Sequence, residues 1–180
     1  MLLDRLLCRW RFRVAARHIP RGARVLDIGT SDGAFLNWLG PRIGPSVGVD
    51  PLTEARVLTN GHRVVRGSVE AASDEGPFDC CTALAVLEHL DTDSLKAISE
   101  DLLTLSSGGA ILIATVPSPV VDGILAVLMR LRLLRGMETE QHHGVEVSDI
   151  VETCEQTGWS LQVKRRFQLG LNNVLVFRST

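Results

Sequence analysis

The chain reads as an α/β domain: a three-layer sandwich in which helices cover both faces of a seven-stranded, mostly parallel sheet that ends in an antiparallel strand pair. Two observations lead there. Short runs rich in Val, Ile and Leu alternate with segments of helical period, the sequence form of a sheet buried on both faces. The last two apolar runs are separated only by Gln168-Leu169-Gly170-Leu171-Asn172, too short for a parallel crossover. A length of 180 residues holds one substantial core and not two, so residues 1–180 are expected to form a single domain.

The strands follow in order. Residues 24–28, 46–49, 63–65, 78–83 and 110–116 are the parallel set, each a short run of β-branched or aliphatic residues, and 161–167 with 173–177 are the terminal pair. Helices are expected at 33–39, 53–60, 93–105, 121–135 and 147–157, with a short turn after Gly67. Asp91, Thr92 or Asp93 can accept from the first free N–H groups of the helix over 93–105, Gly108-Gly109 stop it, and Gly158 ends the helix over 147–157. No linker or internal repeat divides the chain.

Composition narrows the function. A net charge of −2 gives no general field for nucleic acid, so none is expected as a substrate. Cys8, Cys80, Cys81 and Cys154 form no C-x-x-C, and two of them are adjacent inside an apolar strand, which suggests neither a metal site nor a disulfide framework and fits a reducing cytoplasm. Arginines 5, 9, 11, 13 and 17 interrupt any signal-like apolar run at the N-terminus. Nowhere do 18 apolar residues run consecutively, so no transmembrane helix is expected.

The chemistry concentrates in Val25-Leu26-Asp27-Ile28-Gly29-Thr30-Ser31-Asp32-Gly33, where a strand meets a helix. Phosphate-binding turns aim N–H groups at an anion, which a neighbouring carboxylate repels; Asp27 therefore favours a cationic ligand. The dinucleotide pattern G-x-G-x-x-G is also out of register here. A second carboxylate, Asp50, precedes Pro51 at the end of the next strand, placed to accept from a ribose diol. Further on, Phe78-Asp79-Cys80-Cys81-Thr82-Ala83-Leu84-Ala85-Val86-Leu87-Glu88-His89-Leu90 carries small residues just past a strand and a Glu-His pair.

These two stretches resemble, in order, the first and fourth motifs of the class I S-adenosylmethionine-dependent methyltransferases, in particular the small type 11/12-like domains. The first motif is acidic-x-G-x-G-x-G; Asp27, Gly29 and Gly33 match it, and Ser31 holds the middle glycine position. The resemblance spans roughly residues 24–178 and implies a Rossmann-like sheet with S-adenosylmethionine as cofactor. It implies cofactor contacts from Asp27, Gly29, Thr30, Ser31, Gly33, Asp50 and Pro51, adenine contacts from Ser68 and Val69, and a methionine end bordered by Ala83 and Leu84. Ser68 stands where the family often carries an acidic residue. His89 and His143 are the candidate general bases, with solvated-loop roles as the alternative.

Methyl transfer from a sulfonium is an in-line displacement that asks mainly for alignment and exclusion of water. Acceptor choice is expected from two oily, basic segments: residues 1–23 as a lid helix and 117–145 as a substrate-side insert. Both 1–17 and 120–135 could touch an anionic lipid surface. The expected acceptor is a small or lipid-like molecule. Two alternatives remain open at this stage, an oxidoreductase on the same layered fold and a methyltransferase-fold module that binds or scaffolds without turnover.

Overall fold

Val25, Leu26 and Ile28 are all buried, which is what a strand at the centre of a sheet with both faces covered requires. In the computed structural model, which describes residues 2–118 and 145–180, this strand (β1, Val25–Ile28) pairs in parallel with β2 (Val47–Asp50) on one side and β5 (Phe78–Leu84) on the other. With β3 (Arg56–Val57), β4 (Arg63–Arg66), β6 (Ser106–Pro117), β7 (Trp159–Phe167) and β8 (Asn172–Ser179), the sheet runs β3-β4-β2-β1-β5-β6-β8-β7. From β1 the chain first builds outward through β2 and β4, then crosses to β5 on the opposite side. The crevice at that reversal, outside the carboxyl ends of β1 and β5, is where open α/β sheets bind ligands.

Alternation along the strands sorts the core into two layers. Val25, Val64, Cys80, Ile113, Val174 and Val176 face α1 (Leu2–Ala16) and α2 (Ala34–Leu39), which contribute Val14, Ala15, Phe35 and Leu36. Leu26, Cys81, Leu112, Leu175 and Phe177 face α3 (Thr92–Thr104) and α4 (Val147–Gln156), which contribute Leu95, Leu102, Ile150 and Cys154. Asp91 caps α3 as expected, accepting from Ser94 N at 2.7 Å, and Glu146 with Asp149 forms a reciprocal capping box on α4. The four cysteines are free thiols.

All seven expected strands are present, β7 and β8 antiparallel, and the sheet gains an eighth, two-residue edge strand. That strand replaces the helix expected over 53–60. Of those residues only Leu58 is buried, so a helix there has no apolar face to dock. Instead Asn60 (φ 68) and Gly61 (φ 78) reverse the chain, and β3 folds back antiparallel on β4. Asn-Gly between two β-capable runs is a strong hairpin signal and was the clue to follow. The helix expected over 121–135, His142 and His143 lie outside the described residues. Among the described residues no helix is long and apolar enough to cross a membrane.

Candidate functional site

The turn after β1 takes its shape from three left-handed residues. Gly29 (φ 63), Ser31 (φ 50) and Gly33 (φ 74) hold the three glycine positions of the motif, and all three have positive φ. Serine at the middle position therefore occupies a conformation that costs an L-residue roughly 1 kcal/mol or more. The glycines on either side cannot be replaced for a second reason: a Cβ at Gly29 would fall 2.5 Å from Val86 Cγ2, and one at Gly33 would fall 2.5 Å from Leu58 Cδ1. Val86, beyond the end of β5, thus closes onto the turn across the crevice. Ala85 before it also has positive φ (61°), which bends the chain away from the sheet as β5 ends.

Asp27 sits beneath this turn, only 3% exposed. Its Oδ2 accepts from Thr30 Oγ1 at 2.7 Å and its Oδ1 from Thr82 Oγ1 at 2.6 Å. Thr82 is the direct cross-strand neighbour of Asp27 in the β1–β5 ladder, so register alone brings the two together. Burial pushes the Asp27 carboxyl up to about 6; the two hydroxyls pull it down and the nearby Asp50 adds to the rise. Among the described residues no cation offsets this buried charge.

Asp50, half-buried at the end of β2, binds the same turn from the other side. Its Oδ2 accepts from Ser31 N at 3.0 Å and its Oδ1 from Leu52 N at 2.9 Å. The two carboxylates thus bracket residues 29–31, and Thr30 N donates to Val49 O to complete the clamp. Gly67 N donates to Asp50 O, which carries Ser68 and Val69 to the same end of the sheet. Ser68 is exposed and its hydroxyl donates to Glu70, which holds the Glu70 carboxyl below its usual range. The Val69 side chain belongs to the core, leaving its backbone for any ligand. Pro51 follows Asp50 on the surface, and its carbonyl accepts from Arg66 Nε at 3.4 Å.

Ala83 is buried opposite Ile28 in the ladder, and Leu84 is half-buried beside it. His89 ends a short turn (Leu87–His89) after the crevice and is exposed. Helix α1 packs on α2, the helix that follows the turn, with the Phe12 and Phe35 ring centroids 4.9 Å apart; burial raises the Cys8 thiol, opposed by Arg11 and reinforced by the charge of Asp32. Thr82 and Val86 were not singled out in the sequence. Thr82 could have been found from its place in β5 opposite Asp27; Val86 had no local signal.

A crossover crevice, an acidic residue under a three-position left-handed turn and a second carboxylate on the next strand define a class I S-adenosylmethionine-dependent methyltransferase domain. The family model described as "Methyltransferase domain" matches residues 2–162, and the chain belongs to that family. It is 30% identical over 157 residues to the ubiquinone biosynthesis O-methyltransferase of Xanthomonas axonopodis pv. citri, covering 81% of this chain and 64% of that protein. The chain thus spans about two thirds of the length of that curated relative. The structure of magnesium protoporphyrin IX methyltransferase from Synechocystis with bound S-adenosylhomocysteine superposes with a TM-score of 0.66 at 17% identity, covering 98% of this chain and 83% of that one. The N-methyltransferase NodS of Bradyrhizobium japonicum, also with S-adenosylhomocysteine, gives 0.66 at 13% identity, covering 98% and 87%. At these identities the solved structures speak for the fold.

Proposed function

We propose that the protein transfers a methyl group from S-adenosylmethionine to a small or lipid-like acceptor. The observation that carries the reading is Asp27, a buried carboxylate balanced only by two neutral hydroxyls, directly under the turn. When bound, the cofactor supplies an electrophilic methyl on a sulfonium, beside an ammonium group. Asp27 would hold that positive charge at low dielectric, where a charge-assisted contact is strong. Asp50 accepts from Ser31 N and would keep lone pairs for a ribose diol, and the backbone of residues 67–69 would be the group to meet the adenine. Val86 and the small Ala83 and Ala85 limit the space beside Gly29 and keep water from the reacting end.

The acceptor's lone pair forms the new bond to the methyl carbon as the carbon–sulfur bond breaks toward sulfur. An acceptor hydroxyl also loses its proton, and His89, exposed after β5, is the described group proposed to receive it; His143 is the second candidate. Residues 1–23 serve as a lid and 117–145 as the acceptor-side insert of a single domain. A lipid-like acceptor is favoured because the relative named above is named for ubiquinone biosynthesis and α1 brings an oily, basic surface to the site. That surface also fits peripheral contact with a membrane.

Calorimetric titration with S-adenosylmethionine and S-adenosylhomocysteine, followed by a screen of phenolic and lipid-like alcohol acceptors, tests this. Binding with turnover on one acceptor class supports the reading. Binding without turnover on any class identifies a scaffold module, and absence of binding by the folded protein overturns the cofactor assignment.

A further inference from the structure

A net charge of −2 conceals a strong asymmetry. Between Asp4 and Asp27 there are seven arginines and no acidic residue, so residues 1–26 carry +6 and the remainder −8. Half of this charge, +3, lies on α1, and Arg17, Arg21 and Arg24 follow it. That helix buries Val14 and Ala15 and half-buries Phe12 in the domain, and Phe12 packs on Phe35 with ring centroids 4.9 Å apart. Its apolar requirement for docking is met on that side. Yet the opposite side, which carries Arg9 and Arg13, also presents Leu6 (57% exposed) and Trp10 (43% exposed), one helical turn apart. A solvated face has no need of a leucine and a tryptophan set among arginines.

A second, independent feature lies beside it. Gln168 (φ 52), Leu169 (φ 59) and Gly170 (φ 88) are three successive left-handed residues between β7 and β8. Two of them bear side chains that disfavour this conformation, at a cost of about 1 kcal/mol each or more. The turn presents Leu169 at 94% exposure, the most exposed large apolar residue among those described. Gln168 Nε2 donates to Leu7 O at 2.7 Å, which fixes the turn against the N-terminal half of α1. Arg165 on β7 lies close enough to His18 that, with burial first and Arg17 after it, its charge lowers the imidazole. Leu6, Trp10 and Leu169 are thus exposed apolar points on α1 and on the turn held against it, with Arg9 and Arg13 on the same side of the helix as Leu6 and Trp10.

We infer that this surface, made by α1 and the turn at Leu169, docks on the anionic face of a phospholipid bilayer. Arginines draw the helix to the lipid phosphates, and Trp10, Leu6 and Leu169 enter the headgroup–acyl boundary. Nucleic acid would use the same charge and has no need of the leucines. The inference deepens the lipid-like acceptor reading but rests on its own residues, and its test needs neither cofactor nor turnover.

The test is co-sedimentation of the full chain with phosphatidylglycerol–phosphatidylcholine vesicles and with pure phosphatidylcholine vesicles. Wild type is expected to partition onto the anionic vesicles at least about tenfold better. Leu169→Asp is expected to lose most of that binding while keeping the fold, since aspartate tolerates the left-handed conformation better than leucine. Arg9→Ala with Arg13→Ala is expected to weaken it about thirtyfold. Equal binding to both vesicle types, no binding, or binding indifferent to Leu169→Asp overturns the inference. So does tight binding of single- or double-stranded RNA that depends on the arginines alone, or a concentration-dependent dimer abolished by Trp10→Ser. Vesicle binding that persists in Asp27→Asn, beside failed cofactor titration, separates the fate of this surface from that of the cofactor site.

Discussion

Replacing Asp27 by asparagine is expected to make the protein more stable and unable to hold its cofactor. The folded carboxyl titrates at about 6 against an ordinary value of 3.8, so the folded state holds the proton about two units more tightly than the unfolded chain. At 1.36 kcal/mol per unit, the buried ionised form destabilises the fold by about 3 kcal/mol. The direction follows from the raised value: the stability is fully present below pH 3.8, is lost as pH rises through about 6, and above that the penalty is constant. Asparagine is neutral throughout and keeps one acceptor oxygen, while its amide can donate to whichever of Thr30 or Thr82 turns its hydroxyl to accept. Allowing about 1 kcal/mol for the poorer geometry leaves roughly 2 kcal/mol, or about 6 °C in a chain of this size. Thermal melts at pH 8 and pH 5 measure it: Asp27→Asn gains about 6 °C at pH 8 and about 2 °C at pH 5, where the folded carboxyl is mostly protonated but the unfolded one is ionised, so about half of the penalty remains. Titration of the same variant with S-adenosylmethionine should lose about a hundredfold in affinity. A lower melting temperature for Asp27→Asn at pH 8, or an equal shift at both pH values, would show that the buried charge is not held at a cost.

Other substitutions test the turn itself. In Gly48→Ala the new Cβ meets Thr30 at 2.4 Å from Oγ1 and 2.6 Å from Cγ2, so chemical denaturation should show a loss of about 2 kcal/mol, with cofactor affinity falling as Thr30 releases Asp27. Ser31→Gly removes a left-handed serine but adds freedom to the unfolded chain; a net gain near 0.5 kcal/mol is expected, and a loss above about 1 kcal/mol contradicts the strain reading. Asp50→Ala takes away the acceptor for Ser31 N and Leu52 N, and calorimetry should find cofactor affinity reduced at least about tenfold with a stability cost of about 1–2 kcal/mol. Wild-type cofactor affinity should itself fall about tenfold per pH unit below 6 as Asp27 gains its proton.

What could be read from the sequence was set by whether its cause is local. The buried strands announce themselves as aliphatic runs, and Asp27 and Asp50 stand at strand ends where their chemistry is legible without coordinates. The hairpin at Asn60-Gly61 was equally local, but the helix-like length of 53–60 outweighed a two-residue signal. Thr82 and Val86 act on Asp27 and Gly29 from more than 50 residues away, and only the strand order shows that β5 lies beside β1. Likewise the arginines of α1 were visible as a pattern, but that Leu6 and Trp10 remain outside is decided by the side of the helix that Phe12, Val14 and Ala15 dock.

The place of β8 has a consequence for how the chain is made. Last of the described strands in sequence, it sits inside the sheet between β6 and β7, and among the described residues β7 pairs with no other strand. A nascent chain synthesised through residue 171 therefore exposes the bare edge of β6 and carries β7 as an unattached ribbon. Neither can close until the closing strand leaves the ribosome. In that interval a neighbouring polypeptide's β8 can pair with the same edges, in competition with the molecule's own tethered strand. Slow synthesis or crowded refolding should then yield strand-exchanged dimers, separable from monomer by gel filtration and converting to it only through unfolding.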